Sequence, residues 1–243
     1  MPRTKNNRSV IRQAVRLKLA ILCLLYAFTV RAELAVDEIY SPRVNAGDFE
    51  IGVVGAFLDS PGSDIDNLRA DQWEVGYGIS DRLSAELNFN AIKSPGGAYS
   101  LEEYEIELIG NFFQGDDAAA GMLLELSKER GESAGGVTTG ALYERQVCDH
   151  YRFLTNLLVS RSLGEDDETL ELSGSFQAAY TQSETFQPVL EYYGARNNHL
   201  LGPAILSEFR MGSGLLELQA GVAFGLNSES DDVIYRWELG LEF

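Results

Sequence analysis

The chain has 243 residues, with 37 Asp and Glu against 19 Lys and Arg, and a formal net charge of −18 at pH 7. This excess of negative charge repels nucleic acid and excludes a general basic surface for binding it. The length suits one domain once a short leader is removed.

Residues 1–32 have the composition of a secretory signal peptide. Residues 1–18 carry six basic side chains and no acid, residues 19–30 are apolar, and the stretch ends on Ala32. An apolar core of this length is too short to span a bilayer. A signal anchor that stays attached is the alternative. Cleavage after Ala32 removes seven basic residues and leaves a formal charge of −25 on residues 33–243, with Cys148 as the one remaining cysteine and hence no internal disulfide.

Alternation of apolar and polar residues recurs along the whole of residues 33–243. A period of two places the apolar residues on one face of a β-strand. About twelve segments show it, near 47–58, 70–80, 82–93, 102–113, 118–128, 136–147, 150–162, 168–181, 184–194, 199–210, 214–226 and 232–243. Strands of about ten residues behind a secretion signal predict an all-β fold, a closed antiparallel transmembrane β-barrel of about 12 strands. A soluble secreted β-sandwich is the alternative.

The connections between these segments alternate in length. Longer polar ones span 59–70, 93–102 and 128–136, and tight ones lie at 80–81, 114–117, 148–149 and 212–213. With an even number of strands, both chain ends are expected on the periplasmic side. Pro188 and Pro203 fall inside predicted strands nine and ten, where each removes a ladder hydrogen bond, so bulges or shifted boundaries are expected there.

The last predicted strand carries its apolar residues on one parity up to the final residue. They are Tyr235, Trp237, Leu239, Leu241 and Phe243. This ending resembles the C-terminal signal of bacterial outer-membrane proteins. The resemblance implies recognition by the barrel-assembly machinery, with periplasmic chaperones during biogenesis, and a final location in the lipid of the cell outer membrane. Within that class, residues 73–90 resemble a hairpin of the small channel-like barrels of the phenol-degradation MetA-pathway type.

Candidate chemical groups are few, and we expect no enzyme, cofactor or metal site. His150 and His199 lack the Ser two residues further on that an outer-membrane phospholipase-like pair needs, and adjacent Asp149 and His150 would point to opposite faces of a strand. Cys148 lacks a second thiol for a metal or redox site. Acidic clusters at 165–168 and 229–232 are expected to be solvated loops, although acidic loops can also bind divalent cations.

The polar parity of the predicted strands is rich in carboxylates. On this inward side we predict a lumen lined by Glu50, Glu74, Glu86, Glu105, Glu107, Glu125, Glu144, Arg152, Glu171, Glu208, Arg210, Glu217, Arg236 and Glu238, with Glu191 on the same side. Strand glycines at 52, 76, 78, 121 and 221 are expected to permit wall curvature or to keep the lumen open.

Two functions follow from this lining. The first is an outer-membrane channel for small solutes that prefers cations, because a negative field in a narrow pore concentrates them. The second is a non-conducting structural or surface-interaction barrel, in which the arginines bridge the carboxylates into a closed plug.

Overall fold

The computed structural model describes residues 38–63, 65–131, 135–164 and 170–243. The predicted signal peptide and the acidic cluster at 165–168 lie outside these residues. Twelve strands form: β1 (Phe49–Asp59), β2 (Arg69–Ser80), β3 (Leu83–Lys93), β4 (Tyr99–Gln114), β5 (Ala118–Glu129), β6 (Gly135–Val147), β7 (Tyr151–Leu163), β8 (Leu170–Tyr180), β9 (Gln187–Ala195), β10 (Asn198–Met211), β11 (Gly214–Gly225) and β12 (Val233–Glu242). In this part of the chain, no helix has the length and apolar character to cross a membrane.

The strands form one closed ring. Each pairs antiparallel with its neighbours in sequence, and β1 pairs with β12 to complete the circle. Phe243 extends the closing ladder beyond β12, because its N–H donates to the Phe49 carbonyl at 2.9 Å and its carbonyl accepts from the Phe49 N–H at 3.3 Å. Their rings also touch, with centroids 6.3 Å apart. The predicted closed barrel of about 12 strands is confirmed, and closure leaves no unpaired sheet edge.

The two ends of the barrel differ. One, which we call the turn end, holds the start of β1, Phe243 and the connections 81–82, 115–117, 148–150, 181–186 and 212–213. The other, the loop end, holds the connections that follow β1, β3, β5, β7, β9 and β11, whose described residues are 60–63, 65–68, 94–98, 130–131, 164, 196–197 and 226–232. The predicted alternation of short and long connections is wrong at two places. The β9–β10 connection at the loop end has two residues, with Arg196 in the left-handed region at φ 44°, and the β8–β9 connection at the turn end has six.

The ladders keep their register at the two prolines. Pro188 lies opposite Ile205 and Pro203 lies opposite Leu190, with no register shift between β9 and β10. Strand β9 begins at Gln187, three residues later than predicted, so the boundary shifts there and the wall does not bulge. The irregularities lie elsewhere, between 78 and 80 in β2, at 90–91 between β3 and β4, and between 111 and 113 in β4.

Burial follows the alternation predicted from the sequence. In β12 the side chains of Tyr235 and Leu239 on the outer face are 46% and 42% exposed, whereas Ile234 on the inner face is fully buried. In β1, Leu58 on the inner face is likewise fully buried. The core of this protein therefore fills the interior of the ring, and the outer face carries its exposed apolar and aromatic side chains.

Deleting Phe243 is expected to reduce the yield of folded barrel, because it removes the last two backbone hydrogen bonds of the closing ladder and the ring contact with Phe49. The measurement is the fraction that migrates as the compact species in unheated detergent gels after export. Phe186→Ala is the matched control, since Phe186 is an exposed phenylalanine in the 181–186 turn. Equal amounts of compact species for the deletion and the wild type would contradict the prediction.

Candidate functional site

The chain segment before β1 lies inside the barrel. Asn156 of β7, which is fully buried, holds it by both amide atoms: its Oδ1 accepts the Tyr40 N–H at 2.8 Å and its Nδ2 donates to the Tyr40 carbonyl at 2.9 Å. Tyr40 packs against Leu123, Leu142 and other apolar residues of β5–β7. The side chains of Ile39, Tyr40 and Val44 are at most 7% exposed. We call residues 38–44 the inner segment.

The inner segment is fixed at the turn end by polar contacts. Arg43 Nε lies 2.5 Å from Glu144 Oε1, and the Ser41 hydroxyl donates to Glu144 Oε2 at 2.8 Å. Asn111 Nδ2 donates to the Pro42 carbonyl at 2.6 Å. Hydrogen bonds to backbone groups and to a carboxylate define one extended path for this segment along the wall.

Two strand glycines provide the space for this path. A Cβ at Gly78 would lie 1.9 Å from the Asn45 carbonyl oxygen, just after the inner segment, and one at Gly121 would lie 3.1 Å from Pro42. Glycines in strands often mark such close approach of another backbone. The expectation that these glycines keep the lumen open is therefore wrong at these two positions, because chain occupies the space.

An apolar layer crosses the interior. Ile39 belongs to one buried cluster with residues of β1, of β7 on the opposite side of the ring, and of β9–β12. Its members are Ile39, Ala56, Leu58, Leu68, Leu154, Tyr193, Leu200, Ala223 and Ile234. Several of these side chains are fully buried. A continuous apolar layer of this kind excludes water and ions from the part of the bore that it fills.

The register places every predicted lumen residue on the inner parity of its strand. Glu50, Gly76, Glu86, Glu107 and Glu125 follow one another across β1–β5. The same holds for the rest of the predicted lining: Glu74, Glu105, Glu144, Arg152, Glu171, Glu208, Arg210, Glu217, Arg236 and Glu238. Their role in lining a conducting pore stays a prediction.

Charge inside the barrel is divided between two walls. On the side of β8–β12, Glu191 accepts hydrogen bonds from Gln177 at 3.2 Å and Gln219 at 2.7 Å. Arg236 lies 4.0 Å from Glu191 and stacks over the Tyr193 ring at 4.3 Å. This wall resembles the arginine-bridged alternative, because its buried carboxylate has amide and guanidinium partners.

The adjoining wall, from β12 through β1 to β4, is acidic, and the two walls meet at β12, where Arg236 and Glu238 share the inner face. Glu74, Glu86, Glu107 and Glu238 of β2, β3, β4 and β12 interact electrostatically with one another and with Glu38 of the inner segment. Burial, followed by repulsion from these four carboxylates, raises the pKa of Glu38 well above its ordinary value. We call these five residues the acidic wall.

Sequence reasoning did not find the inner segment or the amides that hold it. Residues 38–44 show no strand alternation, and the one signal is the placement of Asn111 and Asn156 on inward positions next to apolar residues such as Ile109 and Leu154. An inward asparagine needs a partner once the interior is filled. Its partner here is the backbone of the inner segment, and the alternation of apolar and polar residues does not reveal that this segment lies inside the barrel.

The remaining candidate groups are distributed over the two ends. His150 lies in the 148–150 turn with its ring edge against Tyr180, whereas His199 at the loop end has its Nδ1 2.8 Å from the Tyr192 hydroxyl. In the 226–232 loop, Asp231 accepts a hydrogen bond from Asn198 at 2.8 Å. Across the described ranges, no group of three or more His, Cys, Asp or Glu side chains is arranged to hold a metal ion.

Solved structures show the same fold. The COG4313 outer-membrane channel from Pseudomonas putida F1 superposes with a TM-score of 0.56 at 13% identity, over 88% of this chain and 98% of that chain. The NanC porin gives 0.53 at 10% identity, over 79% and 98%, and the KdgM porin gives 0.52 at 8% identity, over 80% and 98%. No family model and no curated protein matches the sequence. The fold is thus that of outer-membrane channel barrels, and the MetA-pathway resemblance rests on residues 73–90 alone.

Replacing Asn156 with Leu is expected to loosen the inner segment, because two buried hydrogen bonds of about 1 kcal/mol each are lost. The measurement uses a Cys148→Ser, Val44→Cys barrel, in which the rate of maleimide labelling at position 44 reports exposure of the inner segment. We expect Asn156→Leu to raise this rate by roughly tenfold or more. Gln177→Leu is the control, since this buried amide on β8 bonds to Glu191 and Gln219 instead. Equal labelling rates for Asn156→Leu and the parent would show that these bonds do not hold the segment.

Proposed function

We propose that this chain is an outer-membrane channel for small solutes that prefers cations, with the inner segment as the element that sets its conductance. The observation that carries the proposal is the acidic wall: Glu74, Glu86, Glu107 and Glu238 face the interior on β2, β3, β4 and β12, and the charged neighbours of the first three are other glutamates. Unneutralised carboxylates in a narrow, low-dielectric bore concentrate cations and exclude anions. The fold shared with channel barrels supports this proposal, as does the polar interior between the apolar layer and the turn end.

Solvent reaches part of the acidic wall. Glu86 and Glu238 are half-buried, unlike Glu74 and Glu107. A cation entering from the turn end therefore meets carboxylates first and the apolar layer around Ile39 second. In this arrangement the acidic wall provides selectivity, and the inner segment with its apolar contacts limits passage.

A second function is favoured by a different observation. Because the apolar layer joins β1 to β7 across the ring, the barrel as it stands has a filled interior, which suits a structural or surface-interaction protein. The two functions differ in one measurable property. A channel conducts when the inner segment is displaced or its apolar contacts are weakened, and a structural barrel remains silent.

Neutralising Glu105 and Glu107 together with Gln is expected to weaken cation preference. Removing two carboxylates from a confined pore changes the energy of a permeating cation by about 1 kcal/mol, on the order of fivefold in permeability ratio. The measurement is the reversal potential of the refolded protein in a planar bilayer under a salt gradient. Glu184→Gln combined with Asp149→Asn is the control, because both residues lie in turns outside the bore. Anion preference in the wild type, or no current from any variant, would contradict the proposal.

Replacing Ile39 with Ser is expected to raise the conductance by roughly tenfold, because a hydroxyl in the apolar layer favours wetting of the constriction. Single-channel recording measures this directly. Ile205→Ser is the matched control, since Ile205 lies on the outer face of β10 and is 45% exposed. A compact, folded Ile39→Ser barrel that remains silent would favour the structural function.

A further inference from the structure

An inward asparagine on the acidic wall has no hydrogen-bond partner. Asn88 of β3 is 1% exposed, and neither its Oδ1 nor its Nδ2 forms a hydrogen bond within the structure. The Glu86 carboxylate interacts with this amide, but outside hydrogen-bond geometry. A buried amide with both of its polar atoms unsatisfied is rare in folded proteins and calls for a specific explanation.

The surroundings of Asn88 are carboxylates. Across the ladders it lies opposite Glu74 on one side and Glu105 on the other. Glu107 is its diagonal neighbour on β4, at a distance that long side chains reach. Glu107 Oε2, also buried, has no hydrogen-bond partner either, whereas the same carboxylate interacts with the Tyr40 side chain of the inner segment. Unsatisfied acceptors of two residues thus lie close together on one face.

The arginines nearest this wall lie at its β12 edge or have partners elsewhere, and Arg236 and Arg152 act on Glu238 at that edge. Arg43 is paired with Glu144, and Arg236 is placed against Glu191 and Tyr193. Within the described ranges, the charged neighbours of Glu74, Glu86 and Glu107 are other glutamates. Glu86 and Glu107 are directly opposed across the β3–β4 ladder, which is unfavourable for two like charges. This part of the wall therefore has acceptors and negative charge without a cation to match them.

The spacing of these groups favours an organic cation over a metal ion. A divalent metal needs oxygen ligands converging to about 2.0–2.6 Å, and the described carboxylates are not arranged in such a group. A primary ammonium group instead donates three hydrogen bonds at roughly 2.9 Å in diverging directions. Asn88 Oδ1, Glu107 Oε2 and the half-buried Glu86 carboxylate supply three such acceptors on adjacent positions of β3 and β4.

We propose that Asn88, Glu86 and Glu107, with Glu74 and Glu238 beside them, form a binding site for a small organic cation that carries a primary ammonium group and enters from the turn end. The site deepens the proposed function, on which it rests for its route of access, by naming the class of solute. Carboxylates supply the attraction, and the Asn88 amide distinguishes a hydrogen-bond donor from a simple ion of equal charge. Glu38 and Tyr40 border the site, so an occupied site also contacts the inner segment.

Calorimetric titration of the refolded mature protein in detergent with 1,4-diaminobutane tests this proposal. We expect saturable binding that the neutral isostere 1,4-butanediol does not show and that equal ionic strength of NaCl does not abolish. Asn88→Leu should weaken binding by about tenfold or more, since it removes a hydrogen bond to a charged group. Gln187→Leu, at a buried inward amide of β9 that bonds to Glu208, should bind like the wild type.

Glu86→Gln provides a second variant in case Asn88→Leu does not yield compact barrel, and it should also weaken binding by about tenfold. No binding by the wild type, binding by both site variants that equals that of the wild type, or a preference of the same residues for Mg²⁺ would overturn the proposal. These results are independent of the bilayer measurements. Cation selectivity without diaminobutane binding would support the channel function and overturn the site. Asn88-dependent binding by a barrel that carries no current would support the site and overturn the channel function.

Discussion

The closing ladder between β1 and β12 is the constraint on which the rest of the structure depends. In an open sheet, each edge strand leaves a row of N–H and C=O groups unpaired, and lipid cannot satisfy them. Pairing of Phe49 with Phe243, continued through Val53 and Leu239, joins the edges and thereby gives every strand an inside and an outside. Because the side-chain period is two, this one register decides which residues face the interior. A shift of one residue would exchange the acidic and the aromatic faces of β12.

A ring of twelve strands leaves an interior that must be filled with side chains, water or chain. Here the filling is uneven. The inner segment and the cluster around Ile39 occupy one part with apolar contacts, and Asn156 satisfies the polar backbone that enters with them. The β8–β12 wall neutralises its buried carboxylate with glutamines and Arg236. In the acidic wall, Gln72 donates to Glu74 at 3.2 Å and Glu238 lies near Arg236 and Arg152, whereas the charged neighbours of Glu86 and Glu107 are other glutamates. This arrangement is costly for stability because buried like charges repel and lose their hydration.

An interior that binds a cationic solute would need such a difference between a wall with neutralised carboxylates and a wall with carboxylates left for the solute. A barrel selected for stability alone gains by pairing each carboxylate or replacing it with an apolar residue of similar volume. Glu74, Glu86 and Glu107 are instead left with other acids as charged neighbours, beside an amide without a hydrogen-bond partner. The inner segment brings a further carboxylate, Glu38, to the same place. In the proposed channel, conduction and occupancy of this wall would be coupled through the segment that borders it.

The alternation of side chains was sufficient to predict the barrel, its approximate strand boundaries and the parity of each glutamate. These properties are local: a period of two fixes which side chains share a face, whatever the strand pairs with. The turns at Cys148–Asp149 and Gly212–Ser213 were predictable for the same reason. The short connection at Arg196 was not, because its length depends on how the ends of β9 and β10 meet.

The contents of the bore were decided only by the tertiary structure. Tyr40 and Asn156 are 116 residues apart, and no periodicity in residues 38–44 indicates that they enter the ring. Likewise, the sequence placed Glu86, Glu107 and Glu191 on inward positions without distinguishing them. Which carboxylate receives Arg236 and which receives other carboxylates depends on strand order and shear around the closed ring. The sequence by itself determined which side chains face the interior, because that direction depends only on neighbouring residues in a strand. The closed ring decided which side chains contact one another inside the barrel, because those contacts join distant strands.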